Sequence, residues 1–203
     1  MDLIYGTYNP AKFRSMAETL QGLDIRLTKL SDIKLELREA EENGKYPLEN
    51  AVAKARTYYD QIRRPLFSCD SGLFFEDVEE EDQPGVHIRR VKGKSLTDLE
   101  MQSYYSGLAK KYGGYLTAYY KNSICLIVDE NKIWSYDGND LNSEKFHLVP
   151  QPHERLNKGF PLDSMSVEIK SKRYYYDIKE RRSENRVIYH GFRDFFIRSL
   201  KLR

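Results

Sequence analysis

The chain has 203 residues, 40% of them hydrophobic and 32% charged, with 33 basic side chains against 31 acidic ones and a net charge of +2. That length suits one domain, or one domain with two lobes, and is enough for a core that needs no staples. The composition excludes a disordered chain, and the near-even charge gives no case for a nucleic acid polymer as partner. No run reaches the roughly 18 apolar residues of a membrane span, so no membrane partner is expected. Asp2 comes too early for a signal peptide. The two cysteines, Cys69 and Cys125, stand in no paired metal-ligand spacing. A cytoplasmic location is the expectation.

Leu3-Ile4-Tyr5, ended by Gly6, predicts a first strand. Asn9-Pro10 predicts a helix start with Asn as cap and Pro at the first helical position, and Phe13, Met16 and Leu20 follow at helical spacing. Ile25 to Leu30 alternates as a second strand, and Ile33, Leu35 and Leu37 suggest another short one. Arg38 to Tyr46 is polar and reads as a loop. Pro47 then opens a helix carrying Leu48, Ala51, Val52, Ala55, Tyr58, Tyr59 and Ile62. Leu66-Phe67-Ser68 leads into Cys69-Asp70-Ser71-Gly72, which predicts a strand ending in a tight turn. Glu76 to Asp82 is acidic and reads as a solvated loop tip.

Ser95 to Tyr112 predicts a helix with Ser95 and Asp98 as a capping pair, ended by Gly113-Gly114. Ser123 to Asp129 and Lys132 to Tyr136 predict a hairpin around Glu130-Asn131. Ser166 to Lys170 and Arg173 to Asp177 suggest further short strands, and Ser183 starts a last helix holding Val187, Phe192, Phe196 and Leu200. Strands alternate with helices at first and cluster later. The expectation is an α/β fold with a central sheet and two lobes, residues 1–203 forming a single domain.

Four clusters hold residue types that do chemistry. Thr7, Asn9 and Lys12 place a hydroxyl, an amide and a cation at a helix start, where backbone N–H groups and the helix dipole favour a polyphosphate; a capped helix with a surface lysine would look the same. Glu41-Glu42-Asn43-Gly44, followed by Glu49-Asn50 and Lys54, puts adjacent carboxylates in a loop, which suits a hard divalent cation as well as plain solvation. Asp70, expected at the carboxyl end of a strand, suits a base or a metal ligand, although Asp-Ser-Gly is also an ordinary turn. Phe160 and Asp163, with His190 on the last helix, combine an aromatic ring and polar groups that suit a nucleobase; Phe160 suits a core equally well.

The order of these clusters resembles that of the inosine/xanthosine triphosphate pyrophosphatase family, also called the Ham1-like family. The family's T-x-N-x-x-K turn is matched by Thr7, Asn9 and Lys12. Its acidic pair, Gly and E-N-A-x-x-K-A run are matched by Glu41-Glu42-Asn43-Gly44 and Glu49-Asn50-Ala51-Val52-Ala53-Lys54-Ala55. D-[ST]-G-L is matched by Asp70-Ser71-Gly72-Leu73, P-G-x-x-x-[RK] by Pro84-Gly85 with Arg89 or Arg90, and F-x-x-D by Phe160 and Asp163. The final S-H-R-x-x-A is matched only in part, by Tyr189-His190-Gly191.

The resemblance implies a two-lobed fold with a long mixed sheet, an active-site cleft between lobes, a homodimer, Mg2+, and hydrolysis of ITP, dITP or XTP between the α and β phosphates. By the same resemblance, Thr7, Asn9, Lys12 and Lys54 would hold the triphosphate, and Ser71 and Arg90 would also bind the substrate. Glu41 or Glu42 and Asp70 would bind the metal, and Asp70 and Lys54 would be catalytic. Phe160 would stack on the base, with Asp163 and His190 facing it.

Three positions depart from the family pattern. Cys69 stands where many members have a second acid, Gly191 where the family has the arginine that reads the purine 6-oxo group, and Asn185 in place of a lysine. Arg186 and Arg193 on the same helix are the alternatives for that donor. The expectation is therefore retained pyrophosphohydrolysis with an altered or looser base preference. Rival readings are a related hydrolase of another triphosphate and a nucleotide-binding protein without turnover. A nucleic-acid binder built on Arg89-Arg90, Lys172-Arg173, Arg181-Arg182 and Tyr174 to Tyr176 is a third.

Overall fold

The structure is a computed structural model and describes residues 1–178 and 186–202. In chain order the regular elements are β1 (Asp2–Tyr5), α1 (Pro10–Thr19), β2 (Arg26–Lys29), α2 (Pro47–Ile62), β3 (Leu66–Phe75), β4 (Arg90–Val91), β5 (Lys94–Ser95), α3 (Asp98–Lys111), β6 (Leu116–Asp129), β7 (Lys132–Tyr136), β8 (Phe146–Leu148), β9 (Ser166–Val167) and α4 (Arg186–Leu200). Hydrogen-bonded strands follow the order β2-β1-β3-β6-β8-β9, with β7 paired to β6. The architecture is the expected mixed α/β one. The chain divides into two compact units, residues 1–71, 121–142 and 187–203 forming one, and 72–120 and 143–186 the other.

The first unit is a layered sheet. β1 pairs in parallel with β2 and with β3, Ile4 lying beside Leu66 and Tyr5 beside Phe67. Period-two alternation sorts the side chains. Leu3, Tyr5, Phe67, Cys69, Ile124 and Leu126 share a core with Met16 and Leu20 near α1 and with Phe192, Phe195 and Phe196 of α4. Ile4, Leu66, Cys125 and Ile127 share another with Ala51, Ala55, Tyr58 and Ile62 of α2. Each large side chain so buried contributes roughly 1.5–3 kcal/mol relative to exposure.

The second unit has its own core, in which Met101, Tyr105, Leu108 and Ala109 of α3 pack with Leu73, Phe75, Leu116, Ala118, Phe146 and Leu148. β4 and β5 form a small antiparallel hairpin turned at Lys92-Gly93, both with positive φ.

Several local expectations are corrected. β3 does not end at Asp70-Ser71-Gly72 but runs through to Phe75, where Leu73 donates its N–H to the Gly85 carbonyl at 2.8 Å; pairing overrides a turn-prone tripeptide. Asp70 is thus mid-strand. α3 starts at Asp98 rather than at Ser95: Thr97 is its cap, accepting from the Glu100 N–H at 3.3 Å while the Glu100 carboxylate takes the Thr97 N–H at 2.8 Å. Residues 33–37 form no strand, since Ile33 and Leu37 pack against the core under α2 without a neighbour to pair with. Of the two strands expected after residue 165, only Ser166–Val167 forms, and Tyr175–Asp177 is a single 3-10 turn. β8 was not anticipated, because Phe-His-Leu is too short a run to signal itself. Ser183 and Asn185 lie outside the described residues.

Candidate active site

The parallel pairing of β1 with β3 brings the turn after β1 against Phe67 and Ser68 in the first half of β3. Gly6 donates to the Phe67 carbonyl at 2.8 Å, and the Ser68 hydroxyl donates back to the Gly6 carbonyl at 3.3 Å. The chain then enters α1 through Asn9, whose Oδ1 accepts from the N–H groups of Ala11 at 2.8 Å and Lys12 at 3.3 Å. Asn9 also donates its own N–H to Thr7 Oγ1 at 3.2 Å. Thr7 and Asn9 therefore shape the helix entrance, and Lys12 sits in the first helical turn.

Asp70 lies on the face of β3 that meets α2. Asn50 and Lys54 are four residues apart and so project from one side of that helix. Lys54 Nζ lies 2.8 Å from Asp70 Oδ1, and Asn50 Nδ2 donates to Asp70 Oδ2 at 3.1 Å. Lys54 Nζ also reaches Glu42 Oε2 at 3.4 Å. Asn50, Lys54 and Asp70 are 2%, 8% and 5% exposed, so the carboxylate is a buried charge and needs both donors. The acidic loop is tied down from α2 as well: Gly44 donates its N–H to Asn50 Oδ1 at 2.8 Å, and the Glu49 carboxylate accepts from the N–H of Lys45 at 2.7 Å.

Lys12 belongs to the same electrostatic group. Burial and the neighbouring Lys54 ammonium lower its pKa, with Asp70, Cys69 and Glu42 pulling the other way. A cation in that position gains from any added anion. Cys69 points to the opposite face of β3, into the core with Tyr5 and Phe67, and burial pushes its thiol up to about 12. It stays neutral at ordinary pH and supplies no charge where the family pattern has an acid.

The donor set suits a hard divalent ion. Asp70 and Glu42 lie against one shared ammonium, and Mg2+ characteristically takes one or two carboxylates together with phosphate oxygens and water. Glu41 does not join them. It is exposed, and its carboxylate accepts from Asn43 Nδ2 at 3.3 Å. Among the described residues no three His, Cys, Asp or Glu side chains come together as a metal-holding group. Of the two alternatives at 41 and 42, it is Glu42 that lies with Asp70 against Lys54.

The remaining anticipated residues are distributed as follows. Ser71 donates its hydroxyl to Asn122 Oδ1 at 2.7 Å, and Asn122 Nδ2 donates to the Leu141 carbonyl at 2.7 Å. His190 is exposed on α4 in the first unit. Arg90, Phe160 and Asp163 belong to the second unit. Arg90 is exposed on β4, while its neighbour Arg89 is held by Asp98 at 2.7 Å and by the Leu96 carbonyl at 2.8 Å. Asp98 also accepts the Gly159 N–H at 3.1 Å, anchoring the segment that carries Phe160. Burial pushes the Asp98 carboxyl up, but the Gly159 N–H and Arg89 outweigh it and hold it below its ordinary value. Asp163 accepts from Asn157 Nδ2 at 3.1 Å.

Position 191 has a plain structural meaning. Gly191 is buried where α4 crosses the chain at Asp140, and a Cβ there would collide with the Asp140 carbonyl group. The family's arginine has no room at this point of the backbone. Arg193 is not a substitute, because its guanidinium donates to the carbonyls of Thr19 and Gln21, each at 2.8 Å, at the end of α1. Asn122 is absent from the sequence reading, which names Asn50 in the acidic cluster without a role and Asp98 only as a capping partner. Asn50 had a usable signal in its four-residue spacing from Lys54, whereas Asn122 and Asp98 act on residues remote in sequence and had none.

A mixed sheet with a buried ammonium–carboxylate pair between β3 and α2 defines the class as an α/β protein with a charged cluster built on its central sheet. The sequence pattern of the Ham1 family matches residues 3–140, and the chain belongs to that family. Among curated relatives, the dITP/XTP pyrophosphatase of Aquifex aeolicus is 39% identical over 90 residues, 44% of this chain and 42% of the relative. That of Geobacter sulfurreducens is 34% identical over 96 residues, 47% of each chain. These matches thus span less than half the relatives' length. The dITP/XTP pyrophosphatase of Malacoplasma penetrans is 26% identical over 171 residues, 82% of each. Among solved structures, the Staphylococcus aureus Ham1 protein superposes with a TM-score of 0.68 at 16% identity, covering 97% of this chain and 98% of that one. A HAM1 protein from Coxiella burnetii gives 0.65 at 22% identity, covering 94% and 93%. At these identities the likeness is one of fold. No helix among the described residues is long and apolar enough to cross a membrane.

Proposed function

We propose that the chain hydrolyses non-standard purine nucleoside triphosphates of the ITP, dITP or XTP type to nucleoside monophosphate and pyrophosphate. The observation that carries this reading is the buried contact of Lys54 with Asp70, extended to the partly exposed Glu42, with Lys12 in the same electrostatic group at the entrance of α1. It occurs in a Ham1 family member whose curated relatives are named dITP/XTP pyrophosphatases.

Lys12 and the N–H groups at the entrance of α1 bind the polyphosphate, and the negative charge relieves the burial of the Lys12 ammonium. Asp70 has a further lone pair on each oxygen beyond those engaged by Lys54 and Asn50, enough to orient a water molecule and take its proton. The water oxygen bonds to the α phosphorus as the bond to the α–β bridging oxygen breaks, and pyrophosphate leaves with the electron pair. Lys54 offsets the charge that moves onto the leaving group. Mg2+ would be held by Asp70 and Glu42 and would neutralise phosphate oxygens. Within this proposal Thr7, Asn9 and Ser71 shape the phosphate corner, and Arg90, Phe160, Asp163 and His190 are the further substrate-binding residues. Family membership supports a homodimer and a cytoplasmic location, and sedimentation checks the first.

Base preference is broader than for inosine and xanthosine, because position 191 admits no side chain and Arg193 is engaged elsewhere. The test is a panel of purine and pyrimidine triphosphates with Mg2+, assayed for pyrophosphate release. Turnover of several non-standard purines at similar kcat/KM is expected. Preference for a pyrimidine, or tight binding without turnover at any Mg2+ concentration, overturns the reading.

A further inference from the structure

We infer that Asn50 is a positioning residue whose amide ties the acidic loop at Gly44 to the carboxylate of Asp70 and so holds the two carboxylate-bearing segments in register for a divalent cation. The inference rests on the hydrolase reading for its chemistry, but its geometry is independent of that reading.

Asn50 is 2% exposed, and both ends of its side-chain amide are engaged across two other segments. The Gly44 N–H can only donate, so the atom it meets at 2.8 Å must be the amide oxygen. That fixes the amide orientation and leaves Nδ2, a donor, facing Asp70 Oδ2 at 3.1 Å. A carboxylate or an inverted amide at position 50 would set acceptor against acceptor. Gly44 is part of the same fitting: a Cβ there would come within 2.7 Å of both Asn50 Oδ1 and Glu49 Cβ, so only glycine lets the loop backbone approach this closely.

The contacts close a ring. Asp70 meets Lys54, Lys54 meets Glu42, the backbone runs from Glu42 to Gly44, Gly44 meets Asn50, and Asn50 returns to Asp70. Glu42 stands on a loop without regular secondary structure that is fastened to α2 at Arg38 by Gln61 and at Lys45 by Glu49, and the ring adds the link from this loop to Asp70. Partners behind metal ligands commonly change affinity or activity about 10- to 100-fold when removed. Asn50 differs from Lys54 in carrying no charge, so its removal alters geometry without altering the charge balance.

The experiment uses the full chain with Asn50→Ala and, because a buried change can impair folding, Gly44→Ala on the half-exposed loop as a second variant. Mn2+ binding is read by electron paramagnetic resonance without nucleotide, and amide exchange is read at the loop. Both variants are expected to bind Mn2+ about tenfold more weakly or worse. The loop amides are expected to exchange about 5- to 10-fold faster, the worth of one lost hydrogen bond. With triphosphate and saturating Mg2+, kcat should fall more than KM rises. A folded variant with unaltered Mn2+ affinity and loop exchange overturns the inference, even if hydrolysis is slowed. Absence of hydrolysis by the unaltered protein overturns the hydrolase reading instead, while the Mn2+ and exchange measurements still decide the role of Asn50.

Discussion

Two corners of the first unit differ in how they use the family pattern. Around β3 and α2, the motif residues Asn50, Lys54 and Asp70 touch one another and Glu42 joins them. Around α4, the corresponding motif has been dissolved into packing: Gly191 lies flush against the Asp140 backbone, and Arg193 ties α4 to the end of α1. The contrast shows that a family pattern can hold a cluster of interacting charges in one place and give way to packing in another. Only partners and room for a side chain tell the two apart. Phosphate is common to every nucleoside triphosphate, so a cluster that handles it is indifferent to which base is accepted. A base-reading position can therefore change without disturbing it.

The sharpest way to break the comparison is at Asp70. Asp70→Asn keeps the volume but removes the acceptor charge that faces Lys54 and that would, in the proposed reaction, take the proton of the attacking water. The expected loss is about 100-fold or more in kcat for the best triphosphate of the panel. A variant retaining a third of its activity would move the base to another residue.

Lys12→Met addresses the helix entrance. Losing a charged hydrogen-bond donor to phosphate should raise KM about 10- to 100-fold. Stability should move the other way. The Lys12 pKa is lowered in the fold from its ordinary 10.5, so the folded protein disfavours the ammonium form. That penalty is full below the depressed pKa and vanishes as pH rises through 10.5. The variant should therefore unfold at a higher temperature than the parent at pH 7, and the gap should close in alkaline solution. A lower melting temperature at pH 7 would remove Lys12 from the buried cluster.

Gly191→Arg tests the other corner. Restoring the family residue should not restore inosine selectivity. The new Cβ meets the Asp140 carbonyl, and overpacking of this kind costs about 1–3 kcal/mol. Denaturant melts report the loss. A stable variant with sharpened preference for 6-oxo purines would mean that α4 can shift to admit the side chain.

Local signals in the sequence carried much of the fold. Asn9-Pro10 and Pro47 marked the starts of α1 and α2, and Glu130-Asn131 marked the β6–β7 hairpin. The misplaced features were those decided by partners elsewhere. β3 continues through Asp70-Ser71-Gly72 because Gly85 pairs with Leu73, and no property of the tripeptide announces that. Thr97, rather than Ser95, caps α3 because Ser95 is taken by the β4–β5 hairpin. At the site, the convergence of Glu42, Lys54 and Asp70 came from motif order. The separation of Glu41 from Glu42 could not be read from two adjacent identical residues, since it depends on which way the loop backbone faces. The architectural use of Arg193 was hidden because its acceptors are carbonyls of α1 and the turn after it, at the other end of the chain.

Arg193→Met sets the smallest effect and the finest distinction. The guanidinium donates to two carbonyls at the end of α1, a helix with no basic residue in its own last turn, so it acts as an external cap on the negative end of the dipole. Loss of the charge and both hydrogen bonds from this partly exposed place should cost about 1 kcal/mol in a denaturant melt. The ranking of triphosphates by kcat/KM should be unchanged, because a residue whose donors face α1 carbonyls has none to offer a base. A changed ranking with unchanged stability would reverse the assignment, making Arg193 the base reader and leaving the end of α1 to be capped by water.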